Sequence, residues 1–264
     1  MIEFENVTRS YAHKLAVDRL TLTIPAGELF ALLGPNGAGK TTTIKMLTGL
    51  LRPTEGSVRV CGHDVVSDLR RASLSVGYVP EEPFLYDKLT GREFLEFVAE
   101  MRGLGRAVIE QHIQRECEYF DLNGFIDDLA ETYSHGMKQR LVFASALLHD
   151  PPVLVIDEPM IGLDPRSVRA VKDRLRERAS AGTTVFMSTH TLVVAEEIAD
   201  RIGIMDFGRL HFLGTVSDLQ SELASHHESL EPLFLELTNG EGKRTGKTGS
   251  GTAGEGEASA GMPK

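Results

Sequence analysis

Apolar and polar positions follow two periods along this chain. In residues 20–34, "LTLTIPAGELFALLG", alternation gives way to a turn at Pro25-Ala26-Gly27 and then to an apolar run. That pattern predicts two strands, the second one buried. Residues 2–60 read as β-rich around it. After Gly34 the period becomes helical: Ile44, Leu47 and Leu51 share one face, and Pro53 stops the helix. From about residue 83 to 149 the pattern is mostly helical. Phe94, Phe97, Val98 and Met101 recur at helix spacing, and Gly103 and Gly105 close that element. Beyond Val153 strands and helices alternate. "VLVID" is a short apolar strand. "RSVRAVKDRLRERASAG" sets Val168, Val171 and Leu175 on one face, with Gly182 as the stop. "TVFMSTH" is the next strand, and "RIGIMDFGRLHFLG" predicts a hairpin turned at Phe207-Gly208.

Strands alternating with helices imply an α/β fold with a largely parallel sheet and crossover connections. The helical block at about residues 83–150 interrupts that alternation and reads as an inserted α-helical subdomain. Residues 238–264, "TNGEGKRTGKTGSGTAGEGEASAGMPK", have almost no apolar content. They cannot bury enough surface to offset their ordering entropy, so a disordered tail is expected. The expected organisation is one domain over 1–237, its helical subdomain at about 83–150, and the tail at 238–264.

Composition narrows the partners. Hydrophobic residues make up 41% of 264, enough for a substantial core. The net charge of −10, without a Lys/Arg cluster, argues against a nucleic-acid surface. Cys61 and Cys117, in no metal-ligand spacing, fit a reducing compartment without disulfides. The opening "MIEFENVTRS" is acidic and mixed, unlike a signal peptide. The best uncharged apolar run, 141–148, falls far short of the roughly 20 residues a membrane span needs. A cytoplasmic protein is expected, with any membrane role reached through a partner.

Candidate chemistry begins with "GPNGAGKT", residues 34–41, which matches G-x-x-x-x-G-K-[ST] between an apolar strand and an amphipathic helix. Gly34, Gly37 and Gly39 let the backbone curl so that its N–H groups converge on phosphate oxygens. The following helix aims its positive end at the same anion. Lys40 supplies charge for the β and γ phosphates, and Thr41 a hydroxyl for Mg²⁺. "VLVIDEP" ends a buried strand in Asp157 and Glu158. Neighbours on a strand point to opposite faces, yet at its end both can reach the sheet's carboxyl edge, where α/β folds bind ligands. Asp157 would hold Mg²⁺ and Glu158 would polarise an attacking water. His190, ending "STH", could hold that water against the γ-phosphate. Asp164 in "GLDP" is also a good helix N-cap before Pro165.

In order, "GPNGAGKTT", "YSHGMKQRL", "VLVIDEP", "GLDP" and "STH" resemble the ATP-binding subunits of ABC transporters, over about residues 2–216. The resemblance implies a P-loop NTPase fold: a RecA-like core, an antiparallel β-subdomain and an inserted α-helical subdomain. It implies ATP and Mg²⁺ as cofactors and a head-to-tail homodimer sandwiching two ATP molecules, whose closure drives a membrane permease. Carried over residue by residue, Tyr11 would stack on adenine, and Gly34, Pro35, Asn36, Gly37, Ala38, Gly39, Lys40, Thr41 and Thr42 would take the phosphates. Thr41 and Asp157 would serve Mg²⁺. Glu158, His190 and Lys40 would be catalytic, and Asp164 would communicate across the dimer.

Two departures stand out. Glu81, in "GYVPEEPFLYDKLTGREF", stands where the family has glutamine. Its carboxylate can still ligate Mg²⁺, but it cannot donate an N–H and adds negative charge near the γ-phosphate. The usual Leu-Ser-Gly-Gly-Gln signature is here Tyr133, Ser134, His135, Gly136, Met137. Ser134 and Gly136 remain, so a capped helix N-terminus still faces an anion, expected to be the partner's γ-phosphate; the methionine removes a polar contact. "VPEEPFLYDKLTGREFLEF" and "DRIGIMDFGRLHFLGTVSDLQ" look most like the branch serving ABC-2-type exporters. The expectation is thus an ATP-hydrolysing subunit of an exporter, peripheral on the inner face of the cell membrane. A soluble ABC-type ATPase with a non-membrane partner is the alternative. A small-molecule kinase would leave Ser134, Gly136 and Asp164 without a job.

Overall fold

The structure, a computed structural model, describes residues 1–160 and 162–224. The expected tail and the last residues of the expected domain lie outside the described residues. The chain opens with the antiparallel hairpin β1 (Ile2–Tyr11) and β2 (Lys14–Ile24). In β2, Leu20, Leu22 and Ile24 point inward while Thr21 and Thr23 point out, the period-2 signature of a sheet with one wet face. β3 (Leu29–Leu33) is buried throughout. The phosphate loop follows and leads into α1 (Lys40–Leu47). The helix stops one turn earlier than Leu51 predicts. Thr48 caps it, Gly49 is left-handed, and Leu51 sits half-buried beyond the end. β4 (Glu55–Val60) and β5 (His63–Asp64) complete an antiparallel sheet ordered β2-β1-β4-β5.

After α2 (Leu69–Leu74) and β6 (Val76–Val79) comes the helical insert: α3 (Gly91–Met101), α4 (Arg106–Tyr119), a 3₁₀ turn (Ala130–Thr132) and α5 (His135–Leu147). Thr90 and Glu93 form a reciprocal capping box that starts α3. Phe94, Phe97, Val98 and Met101 all lie on this helix, whose buried face carries Phe94, Leu95 and Ala99. Phe97 and Met101 face solvent, 43% and 70% exposed. β7 (Val153–Asp157), α6 (Pro165–Ser180), β8 (Thr184–Thr189), α7 (Leu192–Ile198), β9 (Arg201–Asp206), β10 (Arg209–Gly214) and α8 (Val216–Ala224) follow. Asp164 caps α6 with Pro165 as its first residue, as the sequence pattern predicts.

The second sheet runs β10-β9-β3-β8-β7-β6, parallel except for the β9–β10 hairpin. Its strands serve two cores at once. Leu29, Ala31, Leu33, Leu154, Ile156, Val185 and Met187 pack towards the helical side. Phe30, Leu32, Val153, Val155 and Phe186 pack against α1 and the antiparallel sheet, where Phe4 and Phe30 lie 6.3 and 5.6 Å from the Phe186 ring. Each large side chain so buried contributes roughly 1.5–3 kcal/mol. This double packing fixes the carboxyl ends of β3, β7 and β8, which carry the candidate site.

Candidate active site

The phosphate loop turns between β3 and α1. Gly39, the residue before α1, has φ 115, and a β-carbon there would lie 2.5 Å from the Ala16 carbonyl oxygen. Only glycine fits both demands. No side chain caps α1 and no acid sits in its first turn, so its leading N–H groups are left to an anion. The Lys40 ammonium is buried and folded back on the loop. It donates to the Gly34 carbonyl at 2.6 Å and to the Pro35 carbonyl at 3.3 Å, and lies 3.7 Å from Glu158 Oε1.

Glu158 follows the end of β7 in a left-handed conformation, φ 51. Its other carboxylate oxygen is 3.0 Å from Nδ1 of His190, the residue just past β8. Asp157 is buried one residue earlier. Ser188 Oγ donates to Asp157 Oδ1 at 2.5 Å and accepts the Glu158 N–H at 3.1 Å.

Lys40, Glu158 and His190 border one cavity of about 300 Å³, lined also by Tyr11, Asn36, Gly37, Gly39, Thr41, Thr42 and Glu81, whereas Asp157 and Ser188 are buried and do not line it. Ala38 is buried beneath the loop. Tyr11 stands at the rim with the Arg9 guanidinium 4.6 Å from its ring centroid. Sequence reasoning missed Lys14 and Ala16, which also line the cavity. They sit at the start of β2, in no motif, and only the fold brings them to the loop. Ser188 stands in "STH", and its one signal in the sequence is a polar side chain at the end of an apolar strand.

Ser134, Gly136 and Asp164 do not border this cavity. α5 starts at His135, directly after its cap Ser134. Ser134 Oγ accepts the Met137 N–H at 3.3 Å, and the Ser134 N–H points to Met137 Sδ at 3.4 Å. The methionine thus answers the cap with its sulfur. The His135 imidazole lies against Gly162, where a β-carbon would come within 2.3 Å of Cδ2. The turn before α5 and the loop before α6 therefore form one surface.

The Thr41 hydroxyl and the Glu81 carboxylate, which line the cavity, suit a hard cation; the Asp157 carboxylate is buried and does not line it. Tyr78 on β6 records the negative pair. Burial first, then the charges of Asp157 and Glu81, push its hydroxyl up to about 12. Among the described residues no cluster of three His, Cys, Asp or Glu could hold a metal alone. Mg²⁺ takes one or two carboxylates and completes its shell with waters and phosphate oxygens.

The ABC transporter family model matches residues 17–161. The chain belongs to the ABC transporter family. It is 37% identical to the linearmycin resistance ATP-binding protein LnrL of Bacillus subtilis (strain 168), over 84% of this chain and 72% of that protein. It is 40% identical to the daunorubicin/doxorubicin resistance ATP-binding protein DrrA of Streptomyces peucetius, over 85% and 68%. Among solved structures, the ATP-binding subunit of an ABC transporter superposes with a TM-score of 0.83 at 33% identity, covering 90% of this chain and 99% of the other. The dimeric bacterial ABC transporter cassette MJ0796 superposes with a TM-score of 0.74 at 25% identity, covering 82% and 99%. The fold is therefore that of an ABC-type P-loop ATPase, and ATP is its nucleotide. Among the described residues no helix is long and apolar enough to cross a membrane.

Proposed function

We propose that this ABC ATPase is the motor subunit of an ABC-2-type exporter, hydrolysing MgATP to drive a separate permease from the inner face of the membrane. The observation that carries the reading is the Glu158 carboxylate, suspended between the Lys40 ammonium and the His190 imidazole at the phosphate loop. Glu158 takes the proton of the attacking water, and His190 holds that water in line with the γ-phosphate. Lys40 exchanges its loop carbonyls and Glu158 for phosphate oxygens and stabilises the charge that develops on them. Thr41, Asp157 and Glu81 would hold Mg²⁺, which would supply charge neutralisation for the phosphates. Tyr11, with Arg9 over one face of its ring, offers the other face to adenine.

Ser134, Gly136 and Asp164 complete the second site of a head-to-tail homodimer, which is why they sit off their own cavity. Residues 1–237 act as one ATPase domain. The permease meets the strip formed by Phe84, Tyr86, Phe97 and Met101, exposed at 75%, 50%, 43% and 70%. Its rings are already in mutual contact, 5.9 Å from Phe84 to Tyr86 and 5.8 Å from Tyr86 to Phe97. A patch of that kind marks a partner surface. Relatives named for drug resistance and for Nod factor export support the outward direction.

The decisive experiment is Glu158→Gln. Hydrolysis should fall to background while ATP binding persists, and ATP should trap a dimer on size exclusion. Retained turnover would remove Glu158 as the base.

A further inference from the structure

We infer that Ser188 is a positioning residue that sets both carboxylates of this site at once, an inference that rests on the roles proposed above for Asp157 and Glu158. A regular strand sends consecutive side chains to opposite faces. If β7 simply continued, Asp157 and Glu158 could not serve one cleft. The chain departs from the strand by taking Glu158 into the left-handed region, φ 51, which residues bearing a β-carbon rarely adopt. Something must hold that conformation.

The holder is one hydroxyl on the neighbouring strand. Ser188 lies directly opposite Asp157 in the β7–β8 register and is fully buried. The turn at Glu158 swings its N–H onto Ser188 Oγ at 3.1 Å, which keeps a buried donor satisfied. The same oxygen spends its own proton on Asp157 Oδ1 at 2.5 Å. Donor and acceptor capacity are thus used on adjacent residues, and the two choices reinforce each other. Asp157 is held in one rotamer with Oδ2 as its remaining oxygen, turned to no donor among the described residues. Glu158 is held with its carboxylate on the side of Lys40 and His190. The end of β8 adds a second brace, since Thr189 Oγ1 accepts the Thr191 N–H at 3.2 Å in the turn that presents His190. Alanine at 188 would strand the Glu158 N–H and Asp157 Oδ1 together. Threonine would keep the hydroxyl.

The test compares Ser188→Ala and Ser188→Thr in the full chain. Outer-shell partners of this kind change metal affinity or activity by about 10–100-fold. Ser188→Ala should lower kcat on that scale while KM for ATP and metal-free ATP affinity stay near wild type. In an electron paramagnetic resonance titration of the ATP-loaded protein, it should also weaken Mn²⁺ binding by about tenfold. Ser188→Thr should restore both. If the alanine variant does not fold, Ser188→Cys keeps the volume with a poor donor and should show the same loss. A folded Ala or Cys variant with near-wild-type kcat and Mn²⁺ affinity overturns the inference, and so does a folded threonine variant as impaired as alanine. Glu158→Gln separates the two levels. Should that variant turn over ATP, the underlying reading fails. Should it be inert while Ser188→Ala works normally, only the role of Ser188 fails.

Discussion

Lys40 spends its charge on the Gly34 and Pro35 carbonyls and on Glu158, all of which a nucleotide's phosphates would displace. Its contacts are therefore placeholders, and removing it should be felt in binding before chemistry. Hydrogen bonds to charged groups carry about 1.5–3 kcal/mol, so Lys40→Ala should weaken ATP binding roughly ten- to a hundredfold by isothermal titration. Unchanged affinity would discredit the phosphate-loop assignment. Glu81 lines the same cavity, where its carboxylate would add negative charge beside a bound γ-phosphate. Glu81→Gln should raise turnover several-fold at saturating Mg²⁺, and an equal rate would reduce Glu81 to a solvated loop acid. Residue types at Gly39, Lys40, Asp157 and Glu158 were legible in the sequence because phosphate chemistry dictates them at fixed spacing. The left-handed turn at Glu158 was not, because nothing in a one-dimensional string marks a non-glycine residue for positive φ. Lys14 stayed hidden for a different reason: its neighbourhood is created by tertiary folding alone.

Helix α4 joins the insert to the core through charge. Glu116 is fully buried, with Arg174 of α6 donating to its Oε1 at 3.0 Å and Arg115 at 2.8 Å. The Arg174 guanidinium also covers the Tyr119 ring at 4.1 Å. Breaking a buried pair leaves an uncompensated charge, so Glu116→Ala should destabilise the fold by about 3–5 kcal/mol in urea unfolding. A change below about 1 kcal/mol, the range of exposed pairs, would refute the buried-pair account. His149, just past α5, is half-buried beside the Val76 backbone. Burial, and after it the Arg102 charge, lower its pKa from 6.5 to about 4. Below pH 6.5 the unfolded chain accepts a proton that the folded chain refuses. Stability should therefore fall as pH drops from 6.5 towards 4, by about 2 kcal/mol at pH 5. His149→Gln should flatten that part of the pH profile, and an unaltered slope would assign it to other groups. Helical periodicity revealed α1, α3 and α6 but could not say which way Phe97 and Met101 face. They occupy apolar positions on a face the core does not cover, and period alone cannot tell a core from a partner surface.

At the scale of the molecule, the insert leaves the sheet after β6 and returns at β7, its immediate neighbour. Both legs of the helical layer therefore stand one strand apart, and the layer carries the α5 N-terminus and the aromatic strip together. Ser134→Ala and Gly136→Asp should abolish ATP-dependent dimerisation while leaving monomer ATP binding intact. If both variants dimerise and turn over normally, the turn is a helix cap and no more. Phe84→Glu with Tyr86→Glu should release a co-purifying permease from detergent extracts without altering basal hydrolysis. Recovery of ribosomes or DNA in place of a membrane protein would favour a soluble role.

The contact between His135 and Gly162 restricts how this chain can change over generations. The imidazole fills the space a side chain at 162 would need, while the left-handed backbone there already admits little besides glycine and asparagine. A lineage that trades His135 for glycine opens position 162 to asparagine; one that keeps the histidine must move its ring to admit a side chain there. Two sites in separate motifs are thus bound into a single heritable unit, and a library randomising both should return them as matched pairs.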